Sequence, residues 1–248
     1  MNFAFKTKMA MRNNPVLFRL LYTSRETPMM KRRVVRPNDA ALIEGFPRSA
    51  NTFASYAFLI SQGDDIKFGN HFHSPAQFAL ARQYGVPALL VIREPVAACL
   101  SFVIFDGSME PREALQRYIS FHEPLINRTE HFCVAPFDEV TKNFGKSIAR
   151  MNTQFGTNFS NFDHDDESEK RVFDRIAADR AKRAEKFGDR YRDPMRATVP
   201  TAEKQARKND LRRAFDEPEL APLVIRARQL FDGLTAGLEQ GTRRRNPR

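Results

Sequence analysis

Two arginines and a serine stand where side chains could bind an anion and act on it. Arg48 follows a short apolar run, residues 40–43, within Gly45-Phe46-Pro47-Arg48-Ser49-Ala50-Asn51-Thr52. The run reads as a buried strand, which Gly45 and Pro47 break. Thr52 then opens an apolar segment, 53–60, that reads as a helix. A strand, a tight turn and a helix N-terminus gather backbone N–H groups and a positive dipole end around one point, which makes an anion site. Arg93 follows a second apolar run, 87–92, and Ser101 stands eight residues later, nearly two turns along a helix started at Pro95. Ligands of open parallel sheets bind beyond the carboxyl ends of the strands. Each of the two best strands carries a cation there, so a second phosphate-sized site is expected beside the first.

The loop comes close to the nucleotide P-loop pattern, G-x-x-x-x-G-K-[ST]. Ala50 stands in place of its second Gly, and Asn51 in place of the Lys that holds the β- and γ-phosphates. The cation sits three residues earlier, at Arg48. Such a loop suits a phosphate-like group but not ordinary ATP hydrolysis. His71 and His73 are spaced like half a metal site, but no third ligand stands near them, and no metal is expected.

The surrounding segments must position these groups. Residues 66–72 read as a strand interrupted by Gly69, and Pro75 starts a helix that runs to Tyr84. Residues 87–92 are almost continuously apolar, as in a parallel strand covered on both faces. Helices are expected over 96–105, 111–121 and 146–155, with a short strand over 131–135. Residues 161–170, polar and dense in acids, read as a surface loop, and 171–186 as a charged helix. Residues 190–196 hold too many charges for a core. Thr201 can cap a helix reaching Arg213, and Leu223, Val224, Ala227, Leu230, Phe231 and Leu234 follow helical spacing. The alternation predicts an α/β fold: an open parallel sheet flanked by helices, a P-loop-like three-layer sandwich with C-terminal helices. The expected organisation is a basic N-terminal segment, 1–36, packed on a domain spanning 37–240, then a disordered basic tail, 241–248.

The chain has 248 residues, a formal net charge of +10 and a pI near 9.9, which points to anionic partners. In the first 36 residues Glu26 is the only acid. Leu17, Leu20 and Leu21 there could form the apolar face of a short helix. That helix is expected to dock on the core; the alternative, a peripheral membrane contact on anionic lipid, stays open. Two cysteines, Cys99 and Cys133, make no disulfide framework and suit a reducing compartment. No run approaches the roughly 18–20 apolar residues of a membrane span, and no signal-peptide pattern is read near Pro15. A cytoplasmic location is expected.

Taken together, these motifs resemble the PAPS-dependent sulfotransferases, which move a sulfuryl group from 3′-phosphoadenosine 5′-phosphosulfate to an acceptor hydroxyl or amine. Their 5′-phosphosulfate loop, P-[KR]-[ST]-G-[ST]-[TS]-[WF], corresponds to Pro47-Arg48-Ser49-Ala50-Asn51-Thr52-Phe53. Their Arg at a strand end, with a Ser eight residues on and then an aromatic, corresponds to Arg93, Ser101 and Phe102. Ala135-Pro136-Phe137-Asp138-Glu139-Val140 matches an aromatic-acidic motif after a strand. The resemblance covers roughly residues 38–145. Ala50 departs from the family Gly, whose freedom at positive φ the turn uses, and Asn51 departs from a hydroxyl residue.

The resemblance implies PAPS as cosubstrate and no metal. Arg48 would neutralise the bridging oxygen of the leaving group. Ser49, Asn51 and Thr52, with the turn's N–H groups, would hold the phosphosulfate, and Phe53 would stack on adenine. Arg93 and Ser101 would bind the 3′-phosphate. The family closes that site with a late basic loop, for which 186–189 and the cluster of Lys204, Arg207 and Lys208 are candidates. In-line transfer needs a base. The family's K-x-H-x-P context is matched at His73 by the following x-Pro, without the Lys; His71 and Glu44 are the alternatives. The expected activity is sulfuryl transfer to a carbohydrate or other small-molecule hydroxyl, with no nucleic-acid partner. A P-loop-type nucleotide or small-molecule kinase and a basic nucleic-acid- or membrane-binding protein are the alternatives.

Overall fold

The computed structural model describes residues 7, 10–22, 33–188, 193 and 202–243, the side chains of 202–204, 210 and 239–243 excepted. Its elements in chain order are α1 (Pro15–Tyr22), β1 (Ala41–Gly45), α2 (Asn51–Gln62), β2 (Phe68–Asn70), α3 (Ala76–Tyr84), β3 (Ala88–Ile92), α4 (Pro95–Asp106) and α5 (Pro111–His122). There follow β4 (Cys133–Pro136), α6 (Phe137–Lys142), α7 (Phe144–Phe155), α8 (Asp166–Phe187), α9 (Ala202–Arg212) and α10 (Ala221–Arg243).

The four strands form one sheet in the order β2-β1-β3-β4, and every pair is parallel. β1 and β3 are buried along their whole length, because helices cover both faces and apolar residues serve in either direction. Leu42, Leu90 and Ile92 point into one core with Phe18 of α1, Phe78 of α3, Leu100 of α4 and Tyr118 of α5. Ile43, Leu89, Val91 and Ala135 point into the other with Phe58 of α2, Ile148 of α7 and Val172 of α8. The expected α/β architecture, an open parallel sheet flanked by helices, is what the chain adopts.

At its carboxyl end β1 lies unusually close to β3. A Cβ on Gly45 would sit 2.1 Å from the Val91 carbonyl oxygen and 2.8 Å from Asn51 Oδ1. Only glycine lets the two strands converge there, and their convergence sets the spacing of the loops that follow.

Three expectations about the elements need correction. The acid-dense stretch 161–170 is not all surface loop: Phe162 is buried in the core, and α8 begins at Asp166. Its acids do helix work, with Asp165 capping Ser168 N and Asp166, Glu167 and Glu169 in the positive first turn. In α1 the inward residue is Phe18, with no exposed surface, while Leu17, Leu20 and Leu21 face out. An aromatic cluster decides this: Phe18 stacks on Tyr22 at 5.0 Å and meets the Phe72 ring edge-on at 5.4 Å. Finally, β2 stops at Asn70. His71 and His73 have φ of 58° and 52°, so the segment turns where extended chain was expected. The expected cap Thr201, most of 190–196 and the tail beyond Arg243 lie outside the described residues.

Candidate active site

β1 leads to β2 on one side, and β3 leads to β4 on the other, so the chain reverses its direction of winding between β1 and β3. That crevice is the topological switch point at which open parallel sheets bind ligands. Arg48 and Arg93 both sit there, half-buried.

The loop after β1 turns through left-handed backbone at Arg48 (φ 71°) and Ala50 (φ 74°). Ala50 thus takes the conformation that the resemblance assigns to glycine, at a cost of roughly 1–2 kcal/mol for a residue with a Cβ. It is the N-cap of α2 and offers no side-chain bond to the first turn. The N–H groups of that turn are therefore not capped by it and point at the crevice. Asn51 donates to the carbonyls of Phe46 (2.8 Å) and Gly45 (3.4 Å), holding the loop's shape from below. The hydroxyl of Ser49 is fully buried without a protein partner, the state of a group waiting for a ligand or a water.

The cations converge on this loop. Arg48 Nε donates to Ser101 Oγ at 3.2 Å, and Arg93 Nη1 donates to the Arg48 carbonyl at 3.0 Å. Sequence spacing left open whether Arg93 and Ser101 could meet; the Arg48 side chain and carbonyl bridge them. Phe105 lies under the Arg48 guanidinium at 5.1 Å and Phe137 under that of Arg93 at 4.0 Å, which orients both without neutralising them. Burial, then the charge of Arg93, pushes the Arg48 pKa down to about 10. Arg93 is lowered by burial too, against the opposing pull of Asp138 and Glu94. Lys208 on α9 is lowered by burial, then by Arg93 and Arg48. α9 packs on α4, and so brings a third cation, some 115 residues on in sequence, to the same place. Lys204 lies on α9 as well, but its side chain is outside the described ones.

Beside the crevice, the turn after β2 carries the histidines. His73 Nδ1 lies 2.7 Å from the Gly45 carbonyl. A carbonyl only accepts, so Nδ1 carries the proton, and the basic nitrogen of the neutral ring is Nε2. His71 is buried and tied to α2, with Nε2 3.2 Å from Thr52 Oγ1 and Nδ1 3.5 Å from Ser55 Oγ. Glu44 has no exposed surface. It accepts from the N–H groups of Gly45 (3.1 Å) and Phe72 (2.8 Å) and from Gln77 Nε2 (3.4 Å), and lies 3.5 Å from His73 Nδ1. Burial pushes its pKa up to about 7. Of the three candidate bases Glu44 is the one sealed from solvent; it holds the His71–His73 turn against β1. Arg12 completes the turn by donating to the Phe72 and His73 carbonyls.

Phe53 is placed differently from the expected adenine platform. Its ring stacks on His164 at 5.5 Å and packs against Phe162 and Phe173, inside the core under α2. Several residues of the site carried no individual expectation: Phe105, Gln77, Arg12 and Tyr118, whose hydroxyl donates to the Arg93 carbonyl at 2.8 Å. Phe137 and Asp138 were visible as an aromatic-acidic pair, without a partner assigned to either. Among the described residues no three His, Cys, Asp or Glu side chains come together as a metal site.

No family model matches the chain, and no curated protein matches it. A solved structure similar to it is that of mouse sulfotransferase SULT7A1 complexed with PAP. The two are 14% identical with a TM-score of 0.45, and the match covers 85% of this chain and 94% of that one.

Proposed function

We propose that this protein is a PAPS-dependent sulfotransferase. The observation that carries the reading is the cluster at the β1–β3 switch point. There Arg48, Arg93 and Lys208 gather around an N-terminus of α2 that its N-cap leaves open: burial lowers the pKa of all three, Arg93 lowers Arg48 further, and both arginines lower Lys208. Like charges held together in a half-buried crevice are costly until an anion joins them. Two linked strand-end arginines suit a ligand with two separate anionic groups better than a single phosphate. The orphaned Ser49 hydroxyl and the uncapped first turn fit its 5′ group; Arg93 and Ser101 fit a 3′-phosphate, with Lys208 beside them.

When bound, 3′-phosphoadenosine 5′-phosphosulfate would supply the sulfuryl group and depart as the 3′,5′-bisphosphate. Arg48 supplies fixed positive charge where the leaving phosphate gains negative charge. His73 takes the acceptor's proton at Nε2, since its Nδ1–H is committed to the Gly45 carbonyl. His71 ties this turn to the phosphate loop through Thr52. The acceptor is assigned as the hydroxyl of a carbohydrate or other small molecule that reaches the exposed edge of His73.

Thermal unfolding with the bisphosphate product PAP, set against ATP with Mg²⁺, tests this reading. At a ligand concentration of about 100 Kd the added stability is about 2.7 kcal/mol, a rise of roughly 5–10 °C for a chain of this size. A rise with ATP–Mg²⁺ and none with PAP would overturn the assignment in favour of a kinase.

A further inference from the structure

The N-terminal helix turns the wrong way for a helix that only fills the core. α1 spends its aromatic residues inward, on Phe72. Val16, Leu17, Leu20 and Leu21 face outward, with Val16 66% and Leu20 74% exposed. At 3.6 residues per turn these four form one continuous stripe about 140° wide. Short soluble helices place such a stripe against the core.

The sequence on either side of the stripe is cationic. Residues 1–36 carry nine Lys and Arg against the single acid Glu26. Arg19, on the same helix, donates to the Tyr84 hydroxyl at 3.0 Å. Beside that bond lies a cavity of about 160 Å³ lined by Arg19, Val34, Val35, Arg36, Pro37 and Tyr84. Its lining is mainly apolar, with Arg19 and Arg36 among the residues that form it. Arg82 stands exposed at the end of α3, two residues before Tyr84. Apolar side chains flanked by cations form the pattern of a helix lying in the headgroup layer of an anionic bilayer. Two copies of this face brought together would oppose the same cations, in a chain that already carries +10.

We infer that the outer face of α1, with the basic residues around it, docks the protein peripherally on anionic lipid. No helix among the described residues is long and apolar enough to cross the membrane, so the contact is with the surface. Arg12 and Phe18 tie this segment to the His71–His73 turn, which places the candidate base next to the bilayer-facing helix. The inference does not depend on the sulfotransferase reading, since PAP binding and lipid binding use separate residues and can fail separately.

The test is flotation of the full chain with vesicles of phosphatidylcholine alone, or with 30% phosphatidylglycerol, at low and high salt. Partitioning onto the anionic vesicles is expected to exceed that onto the neutral ones by about tenfold or more and to weaken with salt. Leu17→Ser with Leu20→Ser, both at exposed positions, is expected to abolish about 90% of it while leaving the melting temperature and PAP binding in place. Equal binding to both vesicle types would overturn the inference. So would full binding by the serine variant, or a wild-type dimer in sedimentation that the serine variant dissolves without any vesicle binding.

Discussion

The two halves of the candidate site are built on opposite plans. At the β1–β3 crevice positive charge is gathered: two guanidinium groups and an ammonium, beside a helix start that its N-cap leaves open and an orphaned hydroxyl. At the turn after β2 nearly every polar group is tied. Glu44 collects three donors, His71 spans Thr52 and Ser55, His73 rests on the Gly45 carbonyl, and Arg12 closes the turn from outside. Binding an anion gains from donors not yet satisfied, whereas moving a proton gains from a ring fixed in one tautomer. On the proposed sulfotransferase reading, the first half would supply affinity and the second turnover.

The sharpest way to break this division is His73→Ala. It is expected to lower turnover by roughly 10²–10⁴ while PAP affinity stays within about twofold. A matching loss of PAP affinity would merge the two halves, and unchanged turnover would transfer the role to His71. Arg93→Ala probes the other half. It is expected to weaken PAP by about 10–100-fold, the loss of a charge-assisted contact, and adenosine 5′-phosphosulfate far less; equal losses would remove Arg93 from the 3′-phosphate.

Glu44 sharpens the comparison through pH. Its folded pKa of about 7 lies above the ordinary 4.5, so the folded protein holds a proton that the unfolded chain has released between those values. The resulting penalty is absent below about pH 4.5, grows as pH rises and is complete above about pH 7, reaching about 3 kcal/mol. Melting followed from pH 5 to 8 is expected to fall in the wild type and to flatten in Glu44→Gln. A slope identical in both would show that the carboxylate is not the titrating group. The smallest effect belongs to the loop. Ala50→Gly relieves left-handed strain but loosens the unfolded chain, for a net gain of about 0.5–1 kcal/mol in urea unfolding. A loss would mean that the alanine methyl packs usefully.

Much of the fold was legible in the order of apolar runs. Residues 40–43 and 87–92 announce parallel strands because both faces are covered, and a buried strand leaves no room for polar alternation. The cations past their ends could be named because ligands of open parallel sheets bind beyond the carboxyl ends of the strands; the switch point itself emerged only with the strand order. What stayed hidden depended on distant contacts. Three leucines at helical spacing outvote one phenylalanine until Phe72 is known to wait beneath α1. The 66–72 run looks extended until the Glu44 carboxylate, 28 residues away from Phe72, collects its N–H and folds the histidines into a turn. Acids at 161–170 look like loop composition, although four of the five serve the start of α8. Lys208 joins Arg48 and Arg93 only through the packing of α9 on α4, which no local pattern records.

One missing methyl group governs how this site could evolve. With no Cβ on Gly45, β1 and β3 approach closely enough for Arg93 to reach the Arg48 carbonyl. Any side chain there would act as a wedge, parting the strands at the one end where their loops must cooperate. In a saturation scan of the loop, position 45 would then stand as a column with a single permitted letter. Position 50, five residues on, would accept glycine, asparagine and aspartate. A lineage can therefore change what the loop grips far more easily than how its two walls are joined.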